Sequence, residues 1–182
     1  MKKIKTFVAL AIMAVCCIVV ASCDEIIAYT LEGYWEGDMY MSYAYNNRVY
    51  DATYTDIEFI GDPCKSASGR GYWYDEYDDG DYFYSSISWT VKDQIIYITI
   101  HEDGTELKIR DYTISDDLFK GWIDYYDYNG NAKQREFRMR HLDSPHWTSP
   151  EPGHHYDSYS KKSGIETRSV DGSEEKPVRF LR

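Results

Sequence analysis

The chain has 182 residues, enough for one domain of ordinary size with appendages and too few for two full cores. A formal charge of -11, from 31 acidic against 20 basic side chains, argues against a nucleic-acid binder, which shows a basic face. With 19 tyrosines and 16% aromatic residues, the chain is also too rich in rings to be wholly disordered.

The first element is an address label. Lys2, Lys3 and Lys5 give a positive start, and an uncharged, mostly apolar run of 16 residues follows (7 to 22). A spanning helix needs roughly 18 or more, so residues 1–22 read as a cleavable export signal. The run closes on Val20-Ala21-Ser22-Cys23, which resembles the lipobox of bacterial lipoproteins. That resemblance implies a diacylglyceryl group on the Cys23 thiol. The partner it implies is a membrane, each buried CH₂ of the acyl chains contributing about 0.8 kcal/mol. Asp24 and Glu25 resemble export tags of surface lipoproteins in gut-dwelling Gram-negative anaerobes, which points to the outer membrane and its exposed side. In other Gram-negative cells Asp at this position resembles an inner-membrane retention signal, so the leaflet stays open. Residues 23–30 then form a lipidated linker. After processing, Cys64 is the one thiol left, and no internal disulfide can form.

From Leu31 to Leu142 the chain repeats one theme, aromatic and β-branched runs separated by turn clusters. Met39 to Tyr45 ends at Asn46-Asn47, and Val49 to Ile60 ends at Gly61-Asp62-Pro63. Gly71 to Tyr77 is followed by Asp78-Asp79-Gly80-Asp81, Phe83 to Val91 by Lys92-Asp93-Gln94, and Ile95 to His101 by Asp103-Gly104. Glu106 to Ile114 ends at Asp116-Asp117, Leu118 to Asp127 at Asn129-Gly130-Asn131, and Lys133 to Leu142 closes the series. Short Asp-Gly and Asn-Gly connections are the strongest local hairpin signals. Phe83, Ser85, Ile87, Trp89 and Val91 share one face, as do Ile96, Ile98 and Ile100, and Phe119, Gly121, Ile123 and Tyr125. This is the period-two pattern of antiparallel sheets with one face buried. Glu106 to Ile114 changes phase midway, which a bulge near Arg110-Asp111 would explain. No segment after the signal carries a helical stripe.

The fold class is therefore all-β. About eight consecutive hairpin-linked strands suit an up-and-down antiparallel barrel, because closure removes exposed edges. Leu31-Glu32-Gly33-Tyr34-Trp35-Glu36-Gly37 carries Gly-x-Trp before the first strand and resembles the opening motif of lipocalins. Tyr54 to Phe59 and Ser88 to Asp93 are similar to segments of bacterial lipocalin-like lipoproteins. The resemblance spans roughly residues 31–142. It implies that Gly33 and Trp35 mark the closed end, with Trp35 as its plug and a basic residue of the last strand, Arg138 or Arg140, packed over it. It also implies a small apolar or amphipathic ligand inside the barrel. The inward rows place entry among Phe83, Trp89 and Ile98. Residues 143–182, rich in Ser, Pro, Gly, His and charge, read as a flexible polar tail.

Reaction chemistry has little support. Asp75 to Asp81 is a dense acidic run, but Tyr77 and Ser86 stand where an EF-hand loop needs ligands, so a solvated turn is the better reading. His141, His146, His154 and His155 follow no metal-ligand spacing, and no structural metal or cofactor is expected. No nucleophile elbow, zinc-protease helix or phosphate loop is present, so the chain is expected not to be an enzyme. The rival to a carrier is a module that binds glycan or protein through outward Tyr82, Tyr84, Trp122 and Tyr126. The address label has a direct test. Mass spectrometry of the mature protein is expected to show acylated Cys23 at its amino terminus, and Cys23→Ala to leave an unprocessed or soluble species.

Overall fold

The computed structural model describes residues 23–45, 48–78, 80–102, 104–127, 130–147 and 178–182. The export signal read in residues 1–22 lies outside the described residues. Residues 23–31 form a short helix, α1, followed by ten strands. These are β1 (Gly33–Asp38), β2 (Met41–Tyr45), β3 (Arg48–Gly61), β4 (Ser68–Tyr77) and β5 (Tyr82–Lys92). The others are β6 (Ile95–Ile100), β7 (Glu106–Ile114), β8 (Leu118–Tyr126), β9 (Ala132–Leu142) and β10 (Val178–Leu181).

Strands β3 to β9 pair in chain order, each antiparallel to the next. The sheet closes through β1, which pairs with β3 on one side and with β9 on the other. Trp35 thus faces Ile57 across one ladder and His141 across the other. Eight strands form the ring. The first strand expected at residues 39–45 is instead two pieces, both lying along β3. Gly33 to Gly37 pairs with Thr55 to Phe59, and Ser42 to Tyr45 pairs with Arg48 to Asp51. Between them Tyr40 adopts a φ of 56°, which turns the chain and lets β2 leave the β9 side of the ring. Strand β10 then adds to the free edge of β2.

Local signals account for much of this. Asp93 and Gln94 both have positive φ, as a two-residue hairpin of the primed type requires. The register of β7 against β8 shifts between Arg110 and Thr113, with Asp111 at a φ of 50°, so the phase change in Glu106 to Ile114 is a bulge. The inward rows are filled with large side chains. Trp35, Trp73, Ile57, Phe59, Ile87, Phe119 and Phe137 are all buried. An eight-stranded ring has an interior just wide enough for such residues.

The interior has two apolar parts with a polar layer between them. The main cluster runs from Ala28 and Leu31 of α1 through Trp35, Trp73 and Ile87, and Tyr43, Tyr77 and Phe83 form a second cluster at the other end. Along β4 and β5 the residues separating the clusters are Asp75 and Ser85, both fully buried. Asp75 Oδ1 accepts from Thr55 Oγ1 at 2.5 Å and from Trp73 Nε1 at 2.9 Å. Arg179 of β10 completes the layer, donating to Asp75 Oδ2 at 3.1 Å and to Ser85 Oγ at 2.6 Å.

Three segments depart from expectation, one of them residues 143–147, read as the start of a flexible polar tail, where His146 and Trp147 instead lie on the barrel wall. Residues 23–31 are helical because Asp24, Ala28 and Leu31 recur on one face, a stripe too short to stand out in sequence. Residues 178–181 are a strand, not part of a flexible polar tail, because Arg179 finds a buried carboxylate and Leu181 joins the apolar core. Asp75, read as part of an acidic turn, is that carboxylate. Removing one partner of a buried ion pair costs about 3–5 kcal/mol. Arg179→Ala is therefore expected to lower unfolding stability by roughly that amount, read from the urea midpoint. A loss under about 1 kcal/mol would show that β10 is not seated in the ring.

Candidate functional site

The closed end is built around Gly33 and Trp35. The indole of Trp35 is wholly buried and its Nε1 donates to the carbonyl of Leu31 at 2.8 Å, which fixes α1 to the first strand. Its ring meets Phe119 edge-on, with centroids 5.6 Å apart, and His141 likewise at 4.9 Å. Gly33 leaves room for that imidazole. A Cβ there would lie 2.5 Å from His141 Nε2, and its φ is 116°. Arg138 and Arg140 do not pack on Trp35. Strand parity turns both outward beside the inward Phe137 and Met139, and Arg140 pairs with Glu36 at 2.6 Å. The basic side chain over Trp35 is His141. Sequence reasoning missed it by one step of the pleat.

Cys23 opens α1, and the neighbouring Asp24 binds the barrel directly. Its carboxylate accepts from the backbone amides of Asp93 at 3.0 Å and Gln94 at 2.9 Å. The cysteine thus lies at the closed end, on the same outer side of α1 as the exposed Ile26 and Tyr29.

Phe83, Trp89 and Ile98 are buried, but they do not converge on one portal. Trp89 and Ile98 are cross-strand partners in the main cluster, and Trp89 Nε1 donates to the carbonyl of Arg70 at 2.9 Å. Phe83 lies six residues back along β5, about 20 Å away at strand spacing, in the second cluster with Tyr43 and Tyr77.

A recess lies elsewhere, where β1 and β2 part. It holds about 260 Å³ and is lined by Asp38, Tyr40, Met41, Ser42, Asp51, Ala52, Arg135 and Arg182. Met41 and Ala52 supply apolar surface, with charged groups of both signs around them. The Arg135 guanidinium stands 3.8 Å over the Tyr40 ring, and Arg182 pairs with Asp51 at 2.8 Å. Burial raises the pKa of Asp38. The amide of Tyr40 and the charge of Arg135 oppose that shift, and Asp51 adds to it. This cleft can take a small molecule with one apolar part and one charged or zwitterionic part.

With the barrel and its openings in place, the chain can be set beside known proteins. A family model for a lipocalin-like domain matches residues 31–121. The chain belongs to the lipocalin-like domain family. Among solved structures, that of EF1p2_mFAP2b bound to DFHBI aligns with a TM-score of 0.40 and 15% identity, over 63% of this chain and 96% of that one. No curated protein matches the chain.

A second polar group of this lipocalin-like protein lies outside the barrel wall. Glu36 of β1 and Asp56 of β3 face each other across the ladder, and the segment after β9 brings His146 onto them. Asp56 is buried beneath that segment. No side chain hydrogen-bonds its oxygens, the backbone of His146 approaches it, and His146 Nδ1 lies 3.7 Å from Oδ2. Burial first, and then the charge of Glu36, push its pKa up to about 6, against the opposing pull of His146 and Arg140. A carboxyl raised above its unfolded value stabilises the fold while protonated, and that contribution is lost as pH rises from about 4 through 6. Asp56→Asn is therefore expected to raise stability by roughly 1–3 kcal/mol at pH 7 and to change little below pH 4. Urea midpoints of both proteins at the two pH values check this.

Proposed function

We propose that this lipocalin-like protein is a non-enzymatic, lipid-anchored binding protein of the cell envelope, attached through Cys23 at the outer membrane. Its ligand is a small amphipathic molecule held in the cleft at the fork of β1 and β2. The cleft itself carries this reading, with Met41 and Ala52 beneath and Asp38, Asp51, Arg135 and Arg182 around. Its volume lies just under the roughly 300–1,000 Å³ of drug-sized pockets. The filled inward rows favour the fork over the barrel axis, so Phe83, Trp89 and Ile98 act as wall and core, not as entry. An acyl chain on Cys23 would bring the closed end, with Ile26 and Tyr29, against the bilayer.

The rival reading, a glycan- or protein-binding face, draws on one observation. Trp147 lies on the outward tyrosines, parallel to Tyr74 at 6.2 Å and edge-on to Tyr84 at 4.9 Å. That surface accepts a flat ring, as a sugar-stacking platform would. In this chain its own Trp147 fills it, while Trp122 and Tyr126 on β8 stay exposed.

Native mass spectrometry of protein released from host membranes tests the carrier reading. A retained small molecule is expected, with occupancy falling at least tenfold in Arg135→Ala and Asp38→Asn and unchanged in Trp122→Ala. Retention that survives both cleft variants, or falls in Trp122→Ala alone, would move the site to the outer aromatic face.

A further inference from the structure

We propose that Glu36, Asp56 and His146 form a binding site for a divalent transition-metal ion of the zinc class on the outer wall of the barrel. One oxygen from each carboxylate and one imidazole nitrogen lie within 4.8 Å of one another. They come from three separate places in the chain. Glu36 and Asp56 are held opposite each other by the β1–β3 register, and His146 arrives from the segment that follows β9.

The decisive side chain is Asp56. It is 3% exposed, no side chain hydrogen-bonds either of its oxygens, and what faces it is the backbone of His146 and that residue's imidazole at 3.7 Å. Buried carboxylates are ordinarily paired or bound to a metal, since an unpaired buried charge is strongly disfavoured. A second carboxylate, Glu36, faces it across the ladder, where like charges repel. A doubly charged cation between the two would turn that repulsion into attraction. It would also give the Asp56 carboxylate a counter-charge at bonding distance.

Geometry supports the same assignment. Bonds of about 2.0–2.2 Å to nitrogen and oxygen in a tetrahedral shell place neighbouring donors roughly 3.4 Å apart. His146 Nδ1 and Asp56 Oδ2 are 3.7 Å apart, close to that spacing. His146 Nδ1 and Glu36 Oε2 are in direct contact, and a small rotation of the exposed imidazole opens the gap. Two carboxylates and an imidazole form a mixed oxygen and nitrogen set, which suits Zn²⁺, Co²⁺ or Mn²⁺ and is unlike the all-oxygen shell of Ca²⁺. Arg140 on the other oxygen of Glu36 acts as an outer support that fixes the carboxylate. His146 is half exposed, so the fourth position opens toward solvent.

The bound ion would pin the segment from Asp143 to Trp147 against β1 and β3. Trp147, next in the chain, would then be locked over Tyr74 and Tyr84. The metal would thereby govern access to the outer aromatic face.

Isothermal titration of the chelator-treated, full mature chain with Zn²⁺ and with Co²⁺ tests the site. One ion per chain with a dissociation constant below about 10 μM is expected, with Co²⁺ absorption typical of nitrogen and oxygen ligands. Glu36→Gln, Asp56→Asn and His146→Gln should each weaken binding at least tenfold while near-ultraviolet circular dichroism shows the fold intact. A double substitution His154→Gln and His155→Gln serves as the control and should leave affinity unchanged. Binding weaker than 100 μM, binding indifferent to Asp56→Asn and His146→Gln, or binding abolished by the control pair would overturn the proposal. So would a preference for Ca²⁺ over Zn²⁺.

Discussion

Everything in this fold hangs on β1 pairing with two strands at once. Its residues from Tyr34 to Gly37 pair with β3 on one side and β9 on the other, and that double pairing turns a meander into a ring. A ring of eight strands has no free edge and a fixed bore, so each inward side chain must fit those facing it. Trp35 sits in that strand and anchors the helix beneath it through Leu31. Gly33 and Gly37 lie where the neighbouring strand and ring press closest. At Gly37 the backbone of Arg138 and Met139 occupies the place of a side chain. The motif is thus a packing solution for the strand that closes the ring.

A short closing strand has a consequence at its far end. After Asp38 the chain turns at Tyr40, and β2 follows β3 without a partner from β9. The part of β9 before Arg138 is left without β1 as a neighbour. The cleft opens in this fork, and β10 fills the free edge of β2 beside it. Arg182, the last residue, reaches both the Tyr40 carbonyl through its amide and Asp51 through its guanidinium. The recess is therefore a by-product of how the ring closes, with Arg182 adding a charge to those of Asp38, Asp51 and Arg135.

Much of the barrel was legible because local and global preferences agree. The strands from Arg48 to Leu142 fall within a few residues of their runs, since period two, turn residues and burial all point one way. Even the bulge at Asp111 left its trace as a phase change. What could not be read were the contacts set by long-range register. His141 rather than Arg138 or Arg140 packs on Trp35 because β1 and β9 pair in one particular stagger. Arg179 looked like one charge in a polar tail, although Val178-Arg179-Phe180-Leu181 is a short apolar run at the chain end. Its meaning depends on Asp75, 104 residues earlier. Asp56 and Glu36 are ordinary acidic residues until the ladder sets them side by side.

The two ends of the carboxy-terminal region engage the wall from opposite sides. His146 and Trp147 lie on its outer face over Asp56 and the tyrosines, whereas Arg179 enters the interior and meets Asp75. Asp56 and Asp75 come from adjacent strands, and Thr55, which precedes Asp56, is directly paired with Asp75 in register. One residue of pleat separates an outward carboxylate from the inward layer. A strongly acidic barrel would gather repulsion at such a point, and the basic residues that relieve it come from beyond the ring. The inner contact is a buried, hydrogen-bonded ion pair that fixes register and is costly to break. The outer one is part exposed, has a carboxylate that no side chain hydrogen-bonds, and is the more easily altered of the two. A chain built this way keeps its barrel closed from within while leaving its outer strap responsive to what binds there.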